Sequence, residues 1–64
     1  MLLGERVRSL REKRELTQAD VDKKSGLSRS SVSRIERGLA VPTIETLTRL
    51  GNALGVPLYR FFRA

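Results

Sequence analysis

Sixty-four residues, 39% of them hydrophobic, suffice for one small domain with a single modest core. Lys plus Arg number 13 against 7 Asp plus Glu, a formal charge of +6 that favours an anionic partner, either nucleic acid or an acidic membrane surface. With no cysteine, no histidine and apolar runs of only a few residues, the chain offers no disulfide, thiolate nucleophile, zinc ribbon, membrane span or signal-peptide core, and a bacterial-type cytoplasmic setting is the default expectation.

In chain order, Leu3, Val7 and Leu10, followed by Leu16, predict an amphipathic helix ending near Arg14. Arg6, Arg8, Arg11, Lys13 and Arg14 alternate with Glu5, Glu12 and Glu15, so part of the charge is spent on local pairs.

The stretch from Thr17 to Gly38, TQADVDKKSGLSRSSVSRIERG, reads as two short helices joined by a tight turn. Thr17 caps the first, with Asp20 as its acidic partner three residues on, and Gly26 ends it. Ser28 is the expected cap of the second, which runs from about Arg29 to Arg37 and stops at Gly38. Val21, Leu27, Val32 and Ile35 face inward. Arg29, Ser30, Ser33, Arg34 and Arg37 form the opposite stripe, three guanidiniums and two hydroxyls with no hydrophobe. Such a stripe cannot pack into a core. A turn this short makes the helices cross steeply, the arrangement in which a second helix can enter a DNA major groove.

Leu39 to Pro42 is a loop, and Thr43 caps the next helix. Ile44, Leu47, Leu50 and Leu54 are its expected buried stripe, Glu45 suits the positive end of its dipole, and Gly55 closes it. Gly51, inside this helix, weakens it by roughly 1 kcal/mol relative to Ala and suggests a close contact. A last short helix starts at Pro57 and carries Leu58, Tyr59, Phe61 and Phe62, with Leu58, Phe61 and Phe62 expected on one side. The fold expected is all-α, five helices in a single domain spanning 1–64, with no strand pattern, repeat or linker.

Six segments together resemble the phage repressor and Cro-like (Xre-type) helix-turn-helix family, the compact five-helix lambda-repressor-like fold: Leu3 to Arg11, Leu16 to Gln18, Ser25 to Ser28, Val32 to Glu36, Pro42 to Leu47 and Ala53 to Pro57. The resemblance implies a sequence-specific, repressor-like transcriptional regulator of double-stranded DNA. It implies a homodimer on a two-fold related operator, in a bacterial or phage, nucleoid-associated setting. Gln18 matches a glutamine that contacts a phosphate while bracing the start of the recognition helix. Arg29, Ser30 and Arg34 match positions that reach base edges, where arginine favours guanine. Thr17, Ser28, Ser33 and Arg37 join Gln18 as expected phosphate contacts, although Ser33 suits either task. Arg11 and Glu36 match a buried or half-buried structural ion pair, and Val56, Leu58 and Tyr59 match dimer contacts.

Three positions depart from the family pattern. Asp22 stands where a small alanine is usual, and its carboxylate needs a partner or an exit to water. Ser25 also replaces an alanine, and Glu15 replaces the glycine that commonly ends the first helix. A hydrogen bond would accommodate Ser25, and an ordinary helical ending Glu15.

An enzyme is the first rival, and the absence of His, Cys, a glycine-rich phosphate loop and metal-ligand spacing speaks against it. Asp20 and Asp22 do not share a helix face. The second rival is an interaction module, antitoxin-like or membrane-associated, in which Leu58, Tyr59, Phe61 and Phe62 bind a partner; core plus dimer contact is the favoured role for them. The sequence calls for no cofactor, metal or small-molecule ligand. Its stop at Ala64 suits both a small regulator and one domain of a longer one.

Overall fold

A computed structural model describes residues 2–62, and every regular element among them is helical. Its elements are α1 (Leu3–Lys13), α2 (Gln18–Ser25), α3 (Ser31–Glu36), α4 (Ile44–Leu54) and a single 3-10 turn (Leu58–Phe61). The expected fifth helix is therefore one 3-10 turn, entered from Pro57. Its three-residue period stacks Leu58 over Phe61, and Phe61 is buried while Phe62 is rotated out to 62% exposure. An α-helix would have kept all three on one face.

Each α-helix is stopped by a residue in the left-handed region, at Glu15, Gly26, Gly38 and Gly55. In each case the next N–H reaches back to a carbonyl five residues earlier, as in Leu39 to Arg34 at 2.8 Å and Val56 to Gly51 at 2.9 Å. Glu15 does this without being glycine, at φ 55°. The ordinary helical ending expected there is replaced by the left-handed one, because the Leu16 N–H must turn back to the Arg11 carbonyl, 3.3 Å away.

The core joins Val7 and Leu10 of α1, Val21 of α2, Val32 and Ile35 of α3, and Leu47, Leu50 and Leu54 of α4, closed by Val56 and Phe61. α1 packs on α3, and α2 packs on both α3 and α4. Ile44 departs from the expected stripe, at 60% exposure. It is the first residue of α4, and burial along that helix starts one turn later, at Leu47.

Glycine has a steric role at two helix contacts. A Cβ on Gly51 would stand 2.8 Å from the Val56 carbonyl oxygen and 3.5 Å from the Phe61 ring, which is the close contact expected there. A Cβ on Gly4 would collide with the Ile35 carbonyl oxygen and stand 2.9 Å from that of Glu36. Thus α1 touches the backbone at the end of α3 directly.

Candidate nucleic-acid interface

The site is built around α3, which has six residues and is too short to be stable unaided. Its supports come from its neighbours. α2 begins with a reciprocal cap: the Thr17 hydroxyl accepts the Asp20 N–H at 3.0 Å, and the Asp20 carboxylate accepts the Thr17 N–H at 2.9 Å. The Thr17 backbone N–H, and after it the Thr17 hydroxyl, hold the Asp20 carboxyl below its ordinary range. At the other end of α2, the Ser25 hydroxyl donates to the Val21 carbonyl at 2.6 Å, the hydrogen bond expected of that serine.

The start of α3 differs from expectation. It begins at Ser31 rather than near Arg29, and Ser30, at φ 68°, precedes it with no side-chain cap bond of its own. The Ser28 hydroxyl lies 3.0 Å from that of Ser31 and does not cap the helix. The cap comes instead from Asp22 on α2. One carboxylate oxygen accepts the Val32 N–H at 2.9 Å and the other accepts the Ser30 N–H at 3.1 Å. Asp22 is only 8% exposed, and these two donors are the partners its burial requires. Sequence reasoning marked the residue as anomalous without finding its task. The available signal was a carboxylate at a position facing the next helix.

The other end of α3 is held by Glu36. Arg11 approaches it with Nε 2.7 Å from Oε2 and Nη2 3.1 Å from Oε1, and donates from Nη1 to the Leu16 carbonyl at 2.8 Å. This fork-to-carboxylate geometry is the stronger form of an ion pair. The hydrogen-bonded Glu36 carboxylate keeps the Arg11 guanidinium more firmly protonated than usual. Gln18 also donates to Glu36 Oε1, at 3.0 Å. It therefore braces the end of α3, whereas its start was the expectation.

With both ends fixed, Val32 and Ile35 turn inward and the basic stripe turns out. Arg29, Ser30, Arg34 and Arg37 are exposed and Ser33 is partly so. None of the three guanidiniums pairs with a carboxylate among the described residues. By contrast, Arg8 and Arg49 are spent on Glu12 and Glu45 of their own helices. The stripe has two flanks. Gln18, Ala19, Asp22, Arg29, Ser30 and Ser33 line one hollow, while Arg34 lines a second with Leu27, Ser31, Ile35, Ala40 and Thr46. Ser31 and Thr46 were not singled out from the sequence. Of the expected dimer contacts, Val56 belongs to the core, Leu58 is half-buried and Tyr59 is exposed. Among the described residues no helix is long and apolar enough to cross a membrane, and no group of three or more acidic side chains is placed to hold a metal ion.

A family profile described as helix-turn-helix matches residues 7–61. The chain belongs to the helix-turn-helix family. The immunity repressor protein of Bacillus phage phi105 is 39% identical over 56 residues, covering 88% of this chain and 39% of that repressor. The chain thus spans well under half of that relative's length. The restriction-modification controller protein C.AhdI from Aeromonas hydrophila superposes with a TM-score of 0.90 at 33% identity, over 94% of this chain and 91% of that one. The P22 c2 repressor protein, solved in complex with a synthetic operator, gives 0.84 at 34% identity, over 95% and 92%. In helix-turn-helix terms α2 and α3 are the first and second helices of the motif.

Proposed function

We propose that the chain is a non-enzymatic, sequence-specific binder of double-stranded DNA, a repressor-like transcriptional regulator acting as a homodimer on a two-fold related operator. The observation that carries this reading is the outward face of α3. Three arginines without carboxylate partners, Arg34 on α3 and Arg29 and Arg37 just beyond its two ends, surround a helix fixed at both ends by side chains of α1 and α2. Placed in the major groove, Arg29, Ser30 and Arg34 read base edges. Thr17, Gln18, Ser28, Ser33 and Arg37 meet the phosphate backbone, which orients the domain without specifying sequence.

Leu58 and Tyr59 are the proposed dimer contacts. The burial of Val56 leaves that residue supporting them from the core. A second subunit is needed on physical grounds, because one module of this size offers only about 600–1,000 Å² of contact with DNA. The proposed setting is the bacterial or phage-infected cytoplasm, at the nucleoid.

Selection of bound fragments from random duplex DNA at moderate salt tests the reading. The expected winner is two-fold related, with half-sites about 10–10.5 bp apart centre to centre, and sedimentation on it shows two chains per duplex. Binding that vanishes with salt and shows no sequence preference would overturn it in favour of a general polyanion or interaction module.

A further inference from the structure

The role of Asp22 extends beyond closing a helix end. Its two oxygens accept from Ser30 and Val32, so the carboxylate grips the residue before α3 as well as the helix itself. Ser30 has a positive φ of 68°, a conformation that an L-residue adopts only when its surroundings hold it there. Arg29 precedes α3 and is joined to it through Ser30, so its placement relative to the helix depends on the backbone conformation held there. Arg29, Ser30 and Asp22 moreover line the same hollow, with Gln18 and Ser33, whereas Arg34 lines the other flank and starts from regular helix.

We propose that Asp22 is a positioning residue that sets specificity. By holding the Ser30 N–H it fixes the approach of Arg29 to its base pair, whereas Arg34 lies within α3 near the end that Arg11 and Gln18 hold through Glu36. The proposal rests on the DNA-binding reading above and adds to it a residue that touches no base. It also predicts a separation of two quantities. The Asp22 carboxylate is buried but lines the hollow beside Arg29, and a negative charge that close to a face that meets phosphates does not add to general attraction, so removing it leaves affinity for arbitrary duplex unchanged or higher while discrimination falls. A role confined to stability would lower both together.

The test compares the wild-type chain with Asp22→Ala, Arg29→Ala and Arg34→Ala on an operator library and on arbitrary duplex, at a temperature where circular dichroism shows every variant folded. For Asp22→Ala, discrimination should drop by about tenfold at the base pair that Arg29→Ala also affects. The base pair affected by Arg34→Ala should keep its preference, and affinity for arbitrary duplex should not fall. Asp22→Asn serves if the alanine variant does not fold. Only one of its two side-chain ends still accepts a hydrogen bond, and faster amide exchange at Ser30 together with an intermediate loss at the same base pair is the expected result. A uniform loss over all sequences, or an unchanged preference profile in folded protein, would overturn the proposal and leave Asp22 a purely structural cap. Absence of sequence preference in the wild-type chain would remove the DNA-binding reading itself, and this proposal with it, before any variant is compared.

Discussion

Arg11 and Glu36, 25 residues apart in sequence, meet as a fork against a carboxylate, with Nε to Oε2 at 2.7 Å and side-chain exposures of 12% and 3%. Through this contact α1 fixes the end of the helix that carries the basic stripe. Removing either partner strands the other in a nearly dry site. Arg11→Ala should therefore cost about 3 kcal/mol of stability, with Glu36→Ala similar. The double variant should cost clearly less than the sum of the two, because no charge is then left alone. Urea denaturation of the three variants measures this, and strict additivity would show that the pair is energetically uncoupled.

Gly4→Ala reverses the usual rule for helix interiors. Alanine ordinarily stabilises such a position by about 1 kcal/mol. Here the new methyl would press on the carbonyl oxygens of Ile35 and Glu36, and the expected result is a loss of about 1–3 kcal/mol by overpacking. Operator affinity should fall too, since the end of α3 must move. A raised melting temperature would contradict the close approach of α1 to α3.

Glu15→Gly should stabilise the chain, by about 0.5–1 kcal/mol. The left-handed conformation at φ 55° costs an L-residue roughly 1–2 kcal/mol, and the greater freedom of glycine in the unfolded chain returns part of that gain. The denaturation midpoint should rise with no change in slope. DNA selectivity should stay as it was.

Base reading and backbone contact separate by mutation. Arg34→Ala should cost roughly 1–3 kcal/mol on the preferred site and relax one base pair, as expected for the loss of a bidentate arginine–guanine contact. Arg37→Ala and Gln18→Ala should weaken every sequence alike. Only Arg37→Ala should also flatten the dependence of log K on log salt, by about 0.9, since the glutamine amide displaces no counterion. Titrations over an operator library at several salt concentrations distinguish the three. A uniform loss for Arg34→Ala would place that residue among the phosphate contacts.

What the sequence revealed, and what it withheld, divides along the range of the interaction. Thr17, Asp20, Gly26, Gly38, Thr43 and Gly55 act on backbone within a few residues of themselves, so their roles as caps and stops could be read directly. The inward spacing of Val32 and Ile35, and hence the outward stripe, was legible for the same reason. The start of α3 was not, because its acceptor lies on α2, eight and ten residues back from the N–H groups it satisfies. A local rule put Ser28 there. Phe62 and Ile44 were misplaced because helical phase says which way a side chain points and not whether anything covers it. Gly4 gave no signal, since close approach depends on how α1 and α3 dock. The Arg11–Glu36 pair came from family resemblance and not from spacing.

α3 is held at its start by Asp22, at its end by Arg11 and Gln18 through Glu36, and from below by Val32 and Ile35. The side chains of Arg29, Ser33, Arg34 and Arg37 take no part in any of these attachments. Scaffold and message are thus written in different residues of one short helix and its immediate flanks. Such a division lets a lineage exchange the letters on the outer face one at a time, acquiring new targets while the protein continues to fold, and it gives an engineer the same freedom at the same four positions.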